Sequence, residues 1–331
     1  SASHNAGQRA FLFKNNGSGR FREVTPRNVA GLEGFPFATN LIDYDNDNDL
    51  DLAWTADFGT SKLVRNDGGW NFVDVTDAAL VGTDENGMGS TWGDPDRNGR
   101  ADWFISSIWN DEPFTGPFAN SWGITGNRLF MNNSDGTFSD DTGAAGVRNG
   151  MWGWGARFGD LDNDGWEDLV HTNGWYTAQF GEPQYETDPV RVFLNQGNAV
   201  FTEQATALGL DETHQGRGLA MFDYDRDGDL DILVSNNDTG LSLYRNDYAT
   251  GNYIKIDVRN PTTNRWAIGA KVTVRIDGEP NQTRWVQAED NFMSQSPIDA
   301  FFGVGAATEV QVLVRWPQGG LTNMSGVATN Q

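Results

Sequence analysis

The sequence predicts an all-β fold on three observations. One acidic phrase returns four times, a second phrase built around Asn, a Gly turn and Phe alternates with it, and no stretch carries a long apolar stripe at helical spacing. The acidic phrase reads DYDNDNDLDL at 43–52, DPDRNGRADW at 94–103, DLDNDGWEDL at 160–169 and DYDRDGDLDI at 223–232. The second reads LFKNNGSGRF at 12–21, LVRNDGGWNF at 63–72, LFMNNSDGTF at 129–138 and VFLNQGNAVF at 192–201.

Each unit resolves into four short strands. Strand A ends at the acidic loop and strand B leaves it as LDLAW, ADWFI, EDLVH or LDILV. Strand C is LVRN, LFMN, VFLN or LYRN, and strand D follows the Gly turn. Period-two alternation with β-branched and aromatic residues supports strands throughout. Loop-to-loop spacings of 51, 66 and 63 residues suit a four-stranded blade. Radial repetition lets each sheet bury its faces against a neighbour, so the expected architecture is a small β-propeller over 1–250 followed by a C-terminal β domain over 251–331. Residues 11–24 supply a C and a D strand with no A or B before them. Ring closure mixing N- and C-terminal strands would use them, giving four blades or five.

Composition agrees and excludes several functions. Glycine makes up 40 of the 331 residues and tryptophan 13, which suits many tight turns between aromatic strands. Twenty-three Lys and Arg stand against 46 Asp and Glu, a formal charge of −23 that repels nucleic acid and anionic membranes. No cysteine is present, so disulfides, thiolate metal sites and a Cys nucleophile are ruled out. No run is long and apolar enough for a membrane-spanning helix, and no leader of the signal-peptide type opens the chain.

The four acidic loops align as D-x-D-x-[DN]-[GN]-x-x-D, with oxygen side chains at positions 1, 3, 5 and 9 and a residue tolerant of positive φ at position 6. Position 7 can add a backbone carbonyl. The candidate metal residues are Asp43, Asp45, Asp47, Asp49 and Asp51; Asp94, Asp96, Asn98, Arg100 and Asp102; Asp160, Asp162, Asp164, Trp166 and Asp168; and Asp223, Asp225, Asp227, Asp229 and Asp231. Hard oxygens at alternating positions suit Ca2+ with its six to eight ligands, whereas Mg2+ favours a tighter octahedron with more water. An EF-hand would need Glu at position 12 between two helices. That position holds Trp54, Ile105, His171 or Val234, all within strand B. About four structural Ca2+ ions are therefore expected.

These loops, with the LFxNxGxGxF phrase after them, resemble the VCBS/FG-GAP repeats, the calcium-loop propeller repeats also found in integrin α subunits. In the tail, NRWAIGAKVTV (264–274), SQS (294–296), FFGVG (301–305) and VRWPQGG (314–320) resemble the ASPIC/UnbV domain, a pairing similar to cartilage acidic protein-like chains. The resemblance covers nearly all of 11–331. It implies a secreted, calcium-binding propeller with a C-terminal β domain and does not imply an enzyme. Two departures stand out: integrin-type propellers have seven blades, more than this sequence supplies, and Asn48 replaces the usual Gly in the first loop.

The calcium loops should share one propeller face, leaving the long B–C insertions 107–127 and 173–190 on the other. The insertions carry Trp109, Phe114, Phe118, Trp122, Trp175, Tyr176, Phe180 and Tyr185. Such rings either stack on a sugar or protein ligand or fold back as a local apolar cap. Trp152 and Trp154 fit inter-blade packing. No catalytic residues are assigned, because His4, His171 and His214 are scattered and no nucleophile elbow or phosphate loop occurs. The reading is a secreted or cell-surface adhesion, scaffold or self-assembling module, contacting protein, glycan or further copies. The alternative is a polysaccharide-acting enzyme or carbohydrate-binding module on the aromatic face, with acid/base pairs drawn from Asp111, Glu112, Glu186 and Asp188.

Overall fold

The computed structural model describes residues 8–26, 29, 32–111, 123–176, 183–288 and 291–331. The chain is nearly all-β, and the described residues include a single-turn helix, α1 (Thr142–Ala145), and a short 3-10 turn at Pro183–Thr187. At the N-terminus β1 (Gln8–Arg9) pairs with the start of β4, while β2 (Phe13–Asn15) and β3 (Phe21–Glu23) form an isolated hairpin.

Four antiparallel sheets follow. The first contains β4 (Glu33–Ile42), β5 (Asp51–Asp57), β6 (Lys62–Asn66) and β7 (Phe72–Asp74). The second contains β8 (Ser90–Gly93), β9 (Asp102–Ile105), β10 (Arg128–Asn132) and β11 (Phe138–Asp140). The third contains β12 (Gly153–Gly159), β13 (Asp168–Asn173), β14 (Arg191–Asn195) and β15 (Phe201–Glu203). The fourth has only β16 (Gly216–Phe222), β17 (Asp231–Asn236) and β18 (Leu241–Tyr244). In each blade the acidic loop joins the first two strands, as the repeat predicts.

The first strands lie side by side, β4 against β8, β8 against β12 and β12 against β16. Alternation along β5, β9 and β13 then feeds two different cores. Trp103 and Ile105 of β9 pack with Ile42, Tyr44, Leu63 and Trp92 toward the first blade, and the intervening Phe104 packs with Phe158, Leu169 and Phe193 toward the third. Trp92 and Trp103 stack with centroids 5.0 Å apart and rings 7° from parallel. Burying both faces of every central sheet is what a radial arrangement provides and an isolated sheet cannot.

Two expectations are corrected. The fourth unit has no D strand, because after β18 the chain leaves at Asn246 and enters β19 (Asn252–Ile256). The hairpin β2–β3 does not complete that blade either. Leu12, beside it, packs against the first blade, on the core of Leu52, Trp54, Val64 and Phe72, and Lys14 sits 5.2 Å above the Trp70 ring.

The C-terminal segment pairs β19 with β22 (Ala300–Gly305) and forms a second sheet in the order β21 (Gln282–Trp285), β20 (Lys271–Arg275), β23 (Glu309–Arg315), β24 (Leu321–Ala328). The two sheets enclose an aliphatic core including Ile254, Val272, Val274, Phe302, Val310, Val312 and Val314. The link between β21 and β22 reaches into the propeller. Gln287 Nε2 donates to the Trp92 carbonyl on β8 (3.4 Å), and the Ser294 and Ser296 hydroxyls accept from the Leu219 and Met221 N–H groups on β16 (2.8 and 3.0 Å). Phe292 contacts Trp154 of β12 and Phe37 of β4, at centroid distances of 5.1 and 5.7 Å. All four inner strands thus touch one C-terminal link.

Candidate metal centres

Each acidic loop is a fixed backbone shape before any cation is considered. Position 6 lies in the left-handed region in all four, at φ of 76° for Asn48, 79° for Gly99, 95° for Gly165 and 100° for Gly228. Asn48 thus serves where the other loops use glycine. Position 4 is left-handed as well, at Asn46, Arg97, Asn163 and Arg226, a feature the aligned sequences did not signal. Side chains lock the turn. The position-7 N–H of Asp49, Arg100, Trp166 and Asp229 donates to the position-5 oxygen of Asp47, Asn98, Asp164 and Asp227, at 2.8, 2.8, 2.8 and 3.2 Å.

The carboxylates at positions 1, 3 and 9 converge. Asp43, Asp45 and Asp51 each offer an oxygen within 4.8 Å of the others, and so do Asp94, Asp96 and Asp102; Asp160, Asp162 and Asp168; and Asp223, Asp225 and Asp231. At position 5 one side-chain oxygen of Asp47, Asn98, Asp164 and Asp227 is engaged in the turn. The position-7 carbonyls accept no hydrogen bond among the described residues.

The cluster is tied to strand C. Position 9 accepts the N–H of the asparagine ending that strand: Asn66 to Asp51 (2.8 Å), Asn132 to Asp102 (2.7 Å), Asn195 to Asp168 (2.8 Å) and Asn246 to Asp231 (2.8 Å). Its second oxygen accepts the position-2 N–H of Tyr44, Leu161 and Tyr224 at 3.2, 2.8 and 2.9 Å. Pro95 holds position 2 in the second loop and has no N–H, so Asp102 Oδ2 is left buried without a partner.

A further orphan recurs in every loop at position 1: Asp43 Oδ1, Asp94 Oδ2, Asp160 Oδ1 and Asp223 Oδ1 are buried and unpaired. Buried carboxylate oxygens without donors are costly, and the same one repeats four times at a point where two more carboxylates converge. The residues therefore fit a hard cation. Burial raises the pKa of Asp51, Asp94 and Asp160 to about 8 and that of Asp43 to about 6, and pushes Asp102 and Asp168 well above the ordinary carboxylate range. A bound cation would offset that desolvation.

All four loops also meet the C-terminal sheets. Lys271 Nζ donates to Asn46 Oδ1 of the first loop (2.9 Å) and to the Gly99 carbonyl of the second (2.5 Å), and the Arg97 guanidinium donates to the Pro280 carbonyl. In the third loop Asp160 Oδ2 accepts the Gly303 N–H (3.0 Å) and the Asn163 carbonyl accepts that of Gly305 (2.9 Å). Gly303 approaches so closely that a Cβ would overlap Asp160 Oδ2 and the Asn163 backbone. Gly228 of the fourth loop lies under the Tyr253 ring. Arg284 pairs with Glu167 (2.9 Å), whose other oxygen accepts the Asp94 N–H (2.6 Å), linking loops two and three to β21.

Of the insertion aromatics, Trp109, Trp175, Tyr176 and Tyr185 lie among the described residues. Phe114, Phe118, Trp122 and Phe180 lie outside the described residues. Tyr185 is fully buried, its hydroxyl donating to the Trp109 carbonyl (3.0 Å) and its ring set at 83° to Trp152. Trp175 stacks on Trp152 at 5.5 Å and lies 5.4 Å from Trp154, whereas Tyr176 is 61% exposed. Tyr185 and Trp175 thus belong to a packed cap, because Trp152 and Trp154 offer them an apolar floor. Trp109 is half-buried. Asp188 is buried and engaged with Asn173 (2.6 Å) and Arg191 (2.8 Å), and Glu112 lies outside the described residues.

Comparison with known proteins agrees with this architecture. An FG-GAP-like repeat model matches residues 118–171 and 184–234, and an ASPIC and UnbV model matches 260–331. Cartilage acidic protein 1 of Mus musculus is 39% identical over 77 residues, 23% of this chain and 12% of that protein. The Homo sapiens protein is 42% identical over 52 residues (15% and 8%), and the Xenopus tropicalis protein 29% over 118 residues (35% and 16%). The matched stretches thus span well under a fifth of these relatives' own length. The chain joins FG-GAP-like repeats to an ASPIC and UnbV domain and is similar, over part of its length, to cartilage acidic protein 1.

Proposed function

We propose that this chain is a secreted or cell-surface calcium-binding module that acts in adhesion, scaffolding or self-assembly and carries no catalytic site. The carrying observation is the fourfold recurrence of a three-carboxylate cluster with one buried, unpaired oxygen. Asp43, Asp45 and Asp51, and their counterparts at positions 1, 3 and 9, would hold the ion, with the position-7 carbonyls completing the shell. Four Ca2+ would reduce the formal charge from −23 to −15. Sites of millimolar to submillimolar affinity, as in other extracellular calcium modules, would fill outside cells and stand empty at micromolar cytosolic calcium, which favours a secreted or cell-surface location. Among the described residues no helix is long and apolar enough to cross a membrane.

Calcium would hold each turn and the seat of the C-terminal sheets together, since those sheets rest on all four loops. Self-association is supported by two free strand edges, β18 with Leu241 at 70% exposure and β24 with Leu321 at 64%. Solution mass measured by light scattering in millimolar calcium and after chelation tests the reading. Assemblies that dissolve on chelation are expected. A compact monomer with unchanged stability in both conditions would overturn it.

A further inference from the structure

The asparagine ending strand C does more than hold position 9. Its side-chain nitrogen donates to the position-8 carbonyl of its own loop: Asn66 to Leu50 (3.1 Å), Asn132 to Ala101 (3.2 Å), Asn195 to Glu167 (3.0 Å) and Asn246 to Leu230 (3.2 Å). In the second, third and fourth blades the same nitrogen also donates to the position-2 carbonyl of the preceding loop. Asn132 reaches Tyr44 (2.9 Å), Asn195 reaches Pro95 (2.8 Å) and Asn246 reaches Leu161 (2.7 Å). Position 2 lies between the converging carboxylates at 1 and 3, and position 8 precedes the one at 9. A single primary amide therefore grips two metal loops at their ligand-bearing segments. The side-chain oxygen is engaged as well, accepting the N–H two residues on at 2.9 Å for Asn132, 3.0 Å for Asn195 and 2.9 Å for Asn246, so the amide cannot turn without breaking three bonds.

We propose that Asn132, Asn195 and Asn246 are positioning residues that couple each metal loop to the one before it, so that ions bind cooperatively along the row of blades. The proposal rests on the calcium reading. Ordering one loop fixes the amide, and the fixed amide pre-orders position 2 of its neighbour, which lowers the entropic cost of the next ion. Only a side chain with two N–H groups on one nitrogen can bridge both carbonyls while accepting a third bond, which restricts the position to a primary amide. Asn66 supplies an internal control. It makes the bonds to its own loop and, among the described residues, none to another.

The test compares Asn195→Ala with Asn66→Ala in calcium titrations of the full chain against a competing chelator. Wild type is expected to bind with a Hill coefficient above 1. Asn195→Ala should weaken two sites by ~10-fold or more and reduce that coefficient, whereas Asn66→Ala should weaken one, in line with the usual effect of losing an outer-shell partner. Equal effects of the two variants, confined to one site each, would overturn the coupling. So would loss of melting temperature that is identical with calcium and with chelator while affinities stay unchanged, the signature of a purely structural residue. If Asn195→Ala fails to fold, Asn246→Ala, at a half-buried position, carries the same comparison for loops three and four. Absence of calcium binding by wild type would overturn the underlying calcium reading, a result distinct from the others.

Discussion

Chelation of calcium should destabilise the fold by an amount that follows from the number of loops. If free calcium stands a hundredfold above the dissociation constant, each site adds about 2.7 kcal/mol, and the four clusters together about 11 kcal/mol. Unfolding entropy of roughly 2.1 cal/mol/K per residue gives about 0.7 kcal/mol/K for 331 residues, so the melting temperature should fall by about 16 °C. Differential scanning calorimetry at constant ionic strength, with a chelator and with millimolar calcium, measures the difference. Asp94→Asn adds a sign test. Asp94 is fully buried, with one oxygen unpaired and a pKa raised to about 8 by burial. In calcium the variant should lose one site, or about 4 °C. In chelator it should melt no lower than wild type, because burial disfavours the charged carboxylate, one of its oxygens has no donor, and asparagine keeps an oxygen to accept the Gly99 N–H. A chelator effect below about 2 °C, or an equal loss by Asp94→Asn in both conditions, would refute the argument.

Arg284→Met should cost about 3–5 kcal/mol in urea unfolding by taking the ion-pair partner from buried Glu167, and adding Glu167→Gln should recover part of that loss. His171 is fully buried between Phe104 and Phe193, with Asn127 Nδ2 at 3.2 Å from its Nε2; desolvation, reinforced by Arg191, lowers its pKa to about 3. The unfolded chain binds this proton near pH 6.5 and the folded chain does not. The contribution of His171 should therefore be flat above pH 6.5 and fall by up to about 1.4 kcal/mol per unit as pH drops from 6.5 toward 3, read as the difference in slope between wild type and His171→Gln in pH-dependent denaturation. Gly303→Ala should cost about 1–3 kcal/mol through overlap with Asp160 and Asn163, and should expose residues 251–331 to limited proteolysis in calcium.

Much of the local structure was legible because it is set by near neighbours. The spacing of acids and the Gly or Asn at position 6 specify a turn within nine residues, and the second and third strands begin where the apolar alternation begins, at β5, β9, β13 and β17 and at β6, β10, β14 and β18. Asn48 was readable for the same reason, since the left-handed conformation is a property of one residue. Other features depend on partners far along the chain. Position 9 of each loop is held by an asparagine some 15 to 30 residues later, and the cross-loop bonds of Asn132, Asn195 and Asn246 span 85 to 100 residues. These asparagines stood in plain view in the repeated strand-C phrase. What they touch depended on how adjacent blades stack.

The same holds for the ends and the insertions. The 12–21 phrase identified a hairpin but not its place, and it packs on the first blade because the exposed side of Leu52, Trp54 and Val64 lies there. Tyr185 carries aromatic surface that suits a ligand or a core equally well, and the floor formed by Trp152 decided for the core. SQS at 294–296 marks the tail in sequence, yet only the folded chain sets Ser294 and Ser296 on β16. Backbone turns and strand periodicity follow from short-range sterics and hydrogen bonding, which a sequence displays directly. Docking of whole sheets is chosen by complementary surfaces assembled from distant segments, and those surfaces exist only in the tertiary structure.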